Sequence, residues 1–316
     1  MKILLITTGG TIGSVCKDMS VDVNSRQPDM IAQAIRSACP DAALDILSPL
    51  ELLSERLSAA DLNTLAAALF GAELRRYDGV IVTVGSDNLA YLSAFVGLLF
   101  GRLPLPIAVV AADRVLSDPG SNGHANLYCA AELIRQGLCG TYVPYRNSDG
   151  SMLIHEAVDL RQADLSDSFF SFHGAFGIWD GALRILRDRL SVGIPAVFDA
   201  QHLPRICDNV LLLHPYPLQD YERLEPDGVS AVLHTLYHSG TVDSGRLAAF
   251  MKKHPRLPVW LASLRSGRPL YRTTEEIIEA GAVPLFDIAP ECAYIKLLLA
   301  CAQDRMSIRG FMEETV

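Results

Sequence analysis

Lys2-Ile3-Leu4-Leu5-Ile6-Thr7-Thr8-Gly9-Gly10-Thr11-Ile12-Gly13 is an apolar run of strand length that stops at two glycines and a threonine. In a parallel α/β sheet this pattern puts Thr11 just past the carboxyl end of the first strand, where open sheets bind ligands. Gly9 and Gly10 lack Cβ atoms, so the backbone there can take positive φ and approach a bound group closely. A hydroxyl beside free main-chain N–H groups is the arrangement of a nucleophile with an oxyanion site. The same residues also fit an ordinary strand-to-loop turn with a surface threonine, and from this stretch alone both readings stand.

Working outward, the same logic recurs at Gly79-Val80-Ile81-Val82-Thr83-Val84, a continuous apolar strand of the kind a parallel sheet covered on both faces requires. It ends at Gly85-Ser86-Asp87-Asn88, and an apolar helix, Leu89 to Phe100, starts at once. Asp87 fits a helix N-cap and equally an acceptor for a bound ammonium group; the two roles are compatible. Between these strand ends, a helix is predicted from Met30 to Cys39, a short strand at Leu44 to Leu47, and a helix from Ser58 to about Arg76. Ser58 with Asp61 forms an acidic relative of the capping box at its start. Strands at Pro106 to Ala111 and Thr141 to Tyr145 flank a helix from Asn126 to Gly137, and short strands are predicted at Met152 to Ile154 and Ala182 to Ile185. Alternating strands and helices of this kind make a doubly wound, flavodoxin-like sheet. The fold class is therefore α/β, with a larger N-terminal domain (1–187), a linker punctuated by Pro195 and Pro204 (188–204), and a smaller C-terminal α/β domain (205–316). In the smaller domain strands are expected at Val210 to His214, Ala231 to His234, Val259 to Ala262 and Ala282 to Phe286.

Composition narrows the function classes. The chain has 316 residues, half of them hydrophobic and a fifth charged, as in globular enzymes. Its formal charge of −9 argues against a nucleic-acid partner, which needs a basic face. The start lacks a signal peptide's long apolar region, and no apolar run approaches membrane-spanning length, so no membrane span is expected. The seven cysteines are scattered, with no Cys-x-x-Cys, so neither a zinc site nor a disulfide framework is expected, and the compartment reads as reducing cytoplasm. The polar segment from Ser14 to Pro28 has the length of a lid. A dinucleotide loop is rejected, because Thr8 stands where the first glycine of Gly-x-Gly-x-x-Gly belongs and no acid ends the second strand.

With both strand ends in view, the chain resembles the bacterial-type L-asparaginase family. Thr8-Gly9-Gly10-Thr11-Ile12-Gly13 is similar to that family's first signature, and Gly85-Ser86-Asp87-Asn88-Leu89-Ala90-Tyr91 to its second, usually Gly-Thr-Asp-Thr before a helix. Asp118-Pro119-Gly120-Ser121-Asn122-Gly123-His124-Ala125-Asn126-Leu127, Leu236-Tyr237-His238-Ser239-Gly240 and Ile288-Ala289-Pro290 resemble later family segments, in the family's order. The resemblance implies hydrolysis of the side-chain amide of asparagine, glutamine or a related small amide. Thr11 would be the nucleophile, Ser86 and Asp87 its partners, and Gly10, Gly85, Ser54 and Glu55 would help hold the substrate. It implies no cofactor and no metal, and a homodimer or homotetramer whose sites lie near the smaller domain of a neighbouring subunit.

Three departures from the family pattern stand out. Ser86 keeps the hydroxyl of the family threonine, but Asn88 replaces the second threonine. No tyrosine occurs before Tyr77, where the family has one behind the nucleophile. Of the five lysines none falls within Arg146 to Phe170, where the family lysine is expected; the nearest basic residue is Arg161, close to Asp164 and Asp167. An arginine can orient or neutralise a group, but it stays protonated and cannot act as a base. His124 and His155 are candidate acid–base groups, against the commoner role of a lone histidine as a surface or hydrogen-bonded core residue. A ligand-binding homologue without efficient turnover is the alternative reading.

Overall fold

The computed structural model describes residues 1–17, 20–22, 27–190, 198–303 and 307–313. The chain separates into two compact units, one ending at Pro204 and the other beginning at Arg205. Residues 191–197 of the expected linker, and much of the expected lid between Ser14 and Pro28, lie outside the described residues.

In chain order the first unit contains β1 (Lys2–Thr7), β2 (Val15–Lys17), β3 (Ser20–Asp22), α1 (Gln27–Ala38), β4 (Ala43–Leu47), α2 (Ala59–Gly71) and β5 (Gly79–Thr83). It continues with α3 (Leu89–Phe100), β6 (Pro106–Val110), α4 (Gly123–Arg135), β7 (Gly140–Arg146), β8 (Met152–Glu156), β9 (Gly177–Trp179) and β10 (Leu183–Ile185). Strands β2 and β3 form an antiparallel pair of their own. The other eight form one sheet in the order β10-β9-β8-β7-β6-β5-β1-β4. Its core, β4-β1-β5-β6-β7, is parallel, and its order of entry is the flavodoxin-like one. Beyond β7 the sheet is extended antiparallel by β8, β9 and β10.

Burial explains why the strands read as unbroken apolar runs. Ile3, Leu5, Ile81, Ala108 and Val110 pack on one face against α1 and α4 through Ile31, Ile35, Leu127 and Ile134. The alternate residues Leu4, Ile6, Val80, Val82, Ile107 and Val109 are equally buried on the other face. Ten of the twelve residues of α3 are buried, so this helix is apolar all round. The antiparallel extension is held by ions as well as by apolar contacts. Arg187 joins Glu156 and, at 2.9 Å, the buried Asp159, whose other oxygen meets His173 Nδ1 at 2.7 Å.

The second unit is a four-stranded parallel sheet, β11 (Val210–Leu213), β12 (Ala231–Thr235), β13 (Val259–Leu264) and β14 (Val283–Phe286), in that order. Helices α5 (Ser244–Lys253) and α6 (Arg272–Glu279) cover one face through Leu247, Phe250 and Ile277. Also in this unit are α7 (Pro290–Cys301) and α8 (Ile308–Glu313), and the buried Lys296 of α7 donates to the Met312 carbonyl at 2.7 Å.

Several boundaries differ from expectation for local reasons. Helix α1 begins at Gln27 rather than Met30, with Pro28 in its first turn, where a missing N–H costs nothing. The Ser58–Asp61 capping box forms as expected, but α2 ends at Gly71, and Leu74–Arg76 is a separate single turn. Strand β9 leaves no mark in the sequence, because three residues carry too little periodicity to register. Among the described residues, no helix is long and apolar enough to cross a membrane.

Two buried histidines tie stability to pH. His155 on β8 is fully buried with Nδ1 against Ser171 Oγ at 2.8 Å, and burial, helped by Arg187, pushes its pKa down to about 3. His234 on β12 is likewise pushed down to about 4, chiefly by burial. Both start from 6.5 when unfolded, so at acid pH the unfolded chain binds protons that the folded chain refuses. Their contribution is complete above pH 6.5 and shrinks as pH falls towards their folded values, by about 1.4 kcal/mol per pH unit for each histidine. Urea-unfolding free energies measured from pH 6.5 to 4.5 should show this decline, and His155→Asn should reduce its slope by about one proton.

Candidate active site

The chain leaves β1 to form β4 on one side and later β5 on the other, which makes the crevice beyond β1 and β5 a topological switch point. Thr7 and Thr83 are paired in register at its floor. Both the N–H and the hydroxyl of Thr8 donate to the Thr83 carbonyl, at 3.1 and 3.0 Å. Gly9 and Gly10 then take φ of 108° and 85°. A Cβ on Gly10 would stand 2.4 Å from both Cα and N of Gly85, and one on Gly9 would stand 2.2 Å from the Leu52 carbonyl oxygen. Only glycine permits this approach and these angles together.

Three donors meet on the Gly10 carbonyl: Ser14 Oγ at 2.9 Å, Gly13 N at 3.3 Å and Gln27 Nε2 at 3.4 Å. Gln27 is 3 % exposed and reaches across Gly13, where a Cβ would fall 1.7 Å from its Cγ. The carbonyl immediately before Thr11 is thereby fixed, and Thr11 opens a single helical turn, Thr11–Gly13, half-buried at the crevice. Ser86 opens a matching turn, Ser86–Asn88, directly after Gly85. Two hydroxyl residues thus follow two glycines in van der Waals contact.

A third segment closes the group. Leu52 pairs with Gly9, donating from its N–H to the Thr8 carbonyl and accepting from Gly10 N, each at 3.0 Å. That pairing carries the turn Ser54–Arg56 to the crevice. Ser54 Oγ donates to Asp87 Oδ2 at 2.7 Å, and the Asn88 carboxamide donates to the Ser54 carbonyl. Gly85 leaves the room, since a Cβ there would lie 2.4 Å from Ser54 Cβ. The capping role considered for Asp87 does not form: Asn88 occupies the N-cap position of α3, and no side chain caps the helix.

Gly10, Thr11, Ser54, Gly85, Ser86 and Asp87 are therefore drawn together, and Asn88 and Gln27 join them. Glu55 and Arg161 are not drawn in by these bonds. Glu55 is exposed on the Ser54–Arg56 turn, and Arg161 is exposed with its N–H donating to Phe170 O at 2.9 Å. Asp164, close to Arg161 in sequence, accepts hydrogen bonds from the Ser166 hydroxyl and N–H, which hold its carboxyl below the usual range. His124 is spent on the Leu116 carbonyl at 3.0 Å, and His155 is the buried residue described above.

The Asp118–Leu127 segment braces the neighbouring strand ends. Asn126 donates to Ala111 O at 2.9 Å and accepts from Arg146 N at 2.8 Å, while Asn122 donates to Arg146 O at 2.8 Å and exchanges two bonds with Asp113. Sequence reasoning missed the bracing by Asn122, Asn126 and Gln27, whose partners lie in other segments; Asn122 and Gln27 stand in polar stretches that carry no local signal of it. Among the described residues, no cluster of three His, Cys, Asp or Glu side chains is placed to hold a metal ion.

The Gly10–Gly85 contact is testable by substitution. Gly10→Ala combines positive φ with a backbone clash and should lower the unfolding free energy by about 2 kcal/mol or more. Gly71→Ala, where a Cβ would meet nothing within 4 Å, should be neutral or stabilising by roughly 0.5 kcal/mol in the same urea titration.

Residues 2–182 match the family model described as asparaginase, N-terminal. The L-asparaginase of Thermococcus kodakarensis is 28 % identical over 329 residues, covering all of this chain and 98 % of that protein. Its solved structure superposes with a TM-score of 0.81 at 25 % identity, again over 100 % and 98 % of the two chains. A glutamyl-tRNA(Gln) amidotransferase subunit of Metallosphaera sedula is 27 % identical, over 96 % of this chain and 72 % of that one. The L-asparaginase I structure from Vibrio cholerae shares the fold, with a TM-score of 0.76 at 19 % identity over 100 % and 97 % of the two chains. The glycine-paired crevice sits within the matched span, and the chain belongs to the asparaginase family.

Proposed function

We propose that this protein is an amidohydrolase that cleaves L-asparagine, or a closely related small amide, to the acid and ammonia with Thr11 as nucleophile. The observation that carries this reading is the contact of Gly10 with Gly85, which brings Thr11 and Ser86 to one switch-point crevice beside the hydrogen-bonded pair Ser54–Asp87. Family membership supports the reaction class, and full-length likeness to an L-asparaginase supports the substrate.

In this mechanism Thr11 Oγ attacks the side-chain carboxamide carbon and its proton leaves with the departing nitrogen as ammonia. Water then cleaves the acyl-enzyme, restoring the hydroxyl and freeing the acid. Main-chain N–H groups opening the turns at Thr11 and Ser86 face the developing oxyanion, each good donor being worth on the order of 3 kcal/mol. Asp87 Oδ2 accepts from the Ser54 hydroxyl, and the carboxylate keeps acceptor capacity for the substrate's α-ammonium, a charge-assisted bond stronger than a neutral one. Arg161 serves in this reading as a cation that orients or neutralises, because it cannot accept the proton.

Binding without efficient turnover is the second reading, favoured by the arginine in the region of the family lysine. Ammonia release from asparagine and glutamine separates the two. Wild type should release ammonia, and Thr11→Ala and Ser86→Ala should each abolish release; a wild type that binds aspartate yet releases none establishes the second reading. Arg161→Lys should raise turnover if the side chain occupies the lysine's place, and an unchanged or lower rate removes Arg161 from the site.

A further inference from the structure

Asparagine is a preferred N-cap residue, because its side-chain oxygen can accept from the N–H groups of the first helical turn. Asn88 occupies the N-cap position of α3 and makes no such bond. Its carboxamide instead donates to the main-chain carbonyl of Ser54, thirty-four residues earlier, on the turn whose hydroxyl donates to Asp87. The two bonds run in opposite directions between the same two turns: Asn88 to Ser54 O, and Ser54 Oγ to Asp87 Oδ2 at 2.7 Å. Gly85 completes the lock by admitting Ser54 Cβ into space that its own Cβ would fill.

The turn so held has little else to fix it. It is a single turn, Ser54–Arg56, closed by Arg56 N to Leu53 O at 3.0 Å and Leu57 N to Ser54 O at 3.4 Å, with no residue buried. Its firm anchor to the sheet, Leu52 against Gly9, lies two residues upstream.

We infer that Asn88 is a positioning residue, which gives up capping α3 in order to clamp the Ser54 turn and so sets the orientation of the Ser54–Asp87 pair towards substrate. This rests on the proposed function only for its kinetic consequence; the clamp itself is a statement about the two turns. A loosened turn lets Ser54 rotate away from Asp87, so ground-state binding weakens while the chemistry at Thr11 is left in place.

The test compares wild type with Asn88→Ala and Asn88→Ser; serine keeps a good N-cap, so it controls for helix stability, yet is too short to reach Ser54. Both variants should raise KM for asparagine about fivefold to tenfold, the range one neutral hydrogen bond supplies, with kcat changed less than twofold. Hydrogen exchange should accelerate in both over residues 52–58, with α3 beyond its first turn unchanged in Asn88→Ser. Unchanged exchange over 52–58 overturns the inference, as does a fall in kcat at constant KM. If wild type neither binds aspartate nor releases ammonia, the proposed function fails while the exchange measurement still decides the clamp.

Discussion

Two glycine backbones in contact, Gly10 against Gly85, are the constraint on which the rest of the site depends. Neighbouring parallel strands hold their backbones just under 5 Å apart. Past the strand ends, chains ordinarily diverge because side chains need room. Here β1 and β5 continue to approach each other beyond Thr7 and Thr83, since neither glycine carries a Cβ and Gly9 and Gly10 can take positive φ. The hydroxyl residue after each glycine is thereby delivered to the same crevice.

The consequences spread through main-chain pairing and through side chains that bond main-chain groups. Leu52 pairs with Gly9 and carries the Ser54 turn in; Ser14, Gly13 and Gln27 hold the Gly10 carbonyl; Asn126 and Asn122 tie β6 to β7 on the far side. Polar groups are placed so that each satisfies a carbonyl or N–H left over where a strand stops. A site built this way is preorganised by backbone bonds, which is the condition for electrostatic stabilisation to act without reorganisation during reaction.

The substitutions relative to the family pattern become intelligible at this level. Serine at position 86 keeps a hydroxyl at the head of its turn and gives up one methyl. Asparagine at position 88 exchanges a helix cap for a bond to a different segment, and so moves stabilisation from α3 to the Ser54 turn. Arg161, by contrast, lies on an exposed stretch whose acid, Asp164, is already committed to Ser166.

By itself the sequence determined the parallel sheet and the two strand ends after which Thr11, Ser86 and Asp87 stand. Continuous apolar strands ending in glycine leave a local mark, since burial on both faces favours apolar residues along the interior of β1 and β5. The Ser58–Asp61 cap was legible for the same reason: all its partners lie within one turn. The tertiary structure alone decided that Gly10 faces Gly85, that Ser54 rather than a helix N–H engages Asp87, that Gln27 reaches Gly10 across Gly13, and that Asn88 serves the Ser54 turn. Each of these joins segments from 17 to 75 residues apart whose individual periodicities are silent about one another. Local preference fixes which residues can stand at a strand end, while the order of the strands fixes which of those ends meet.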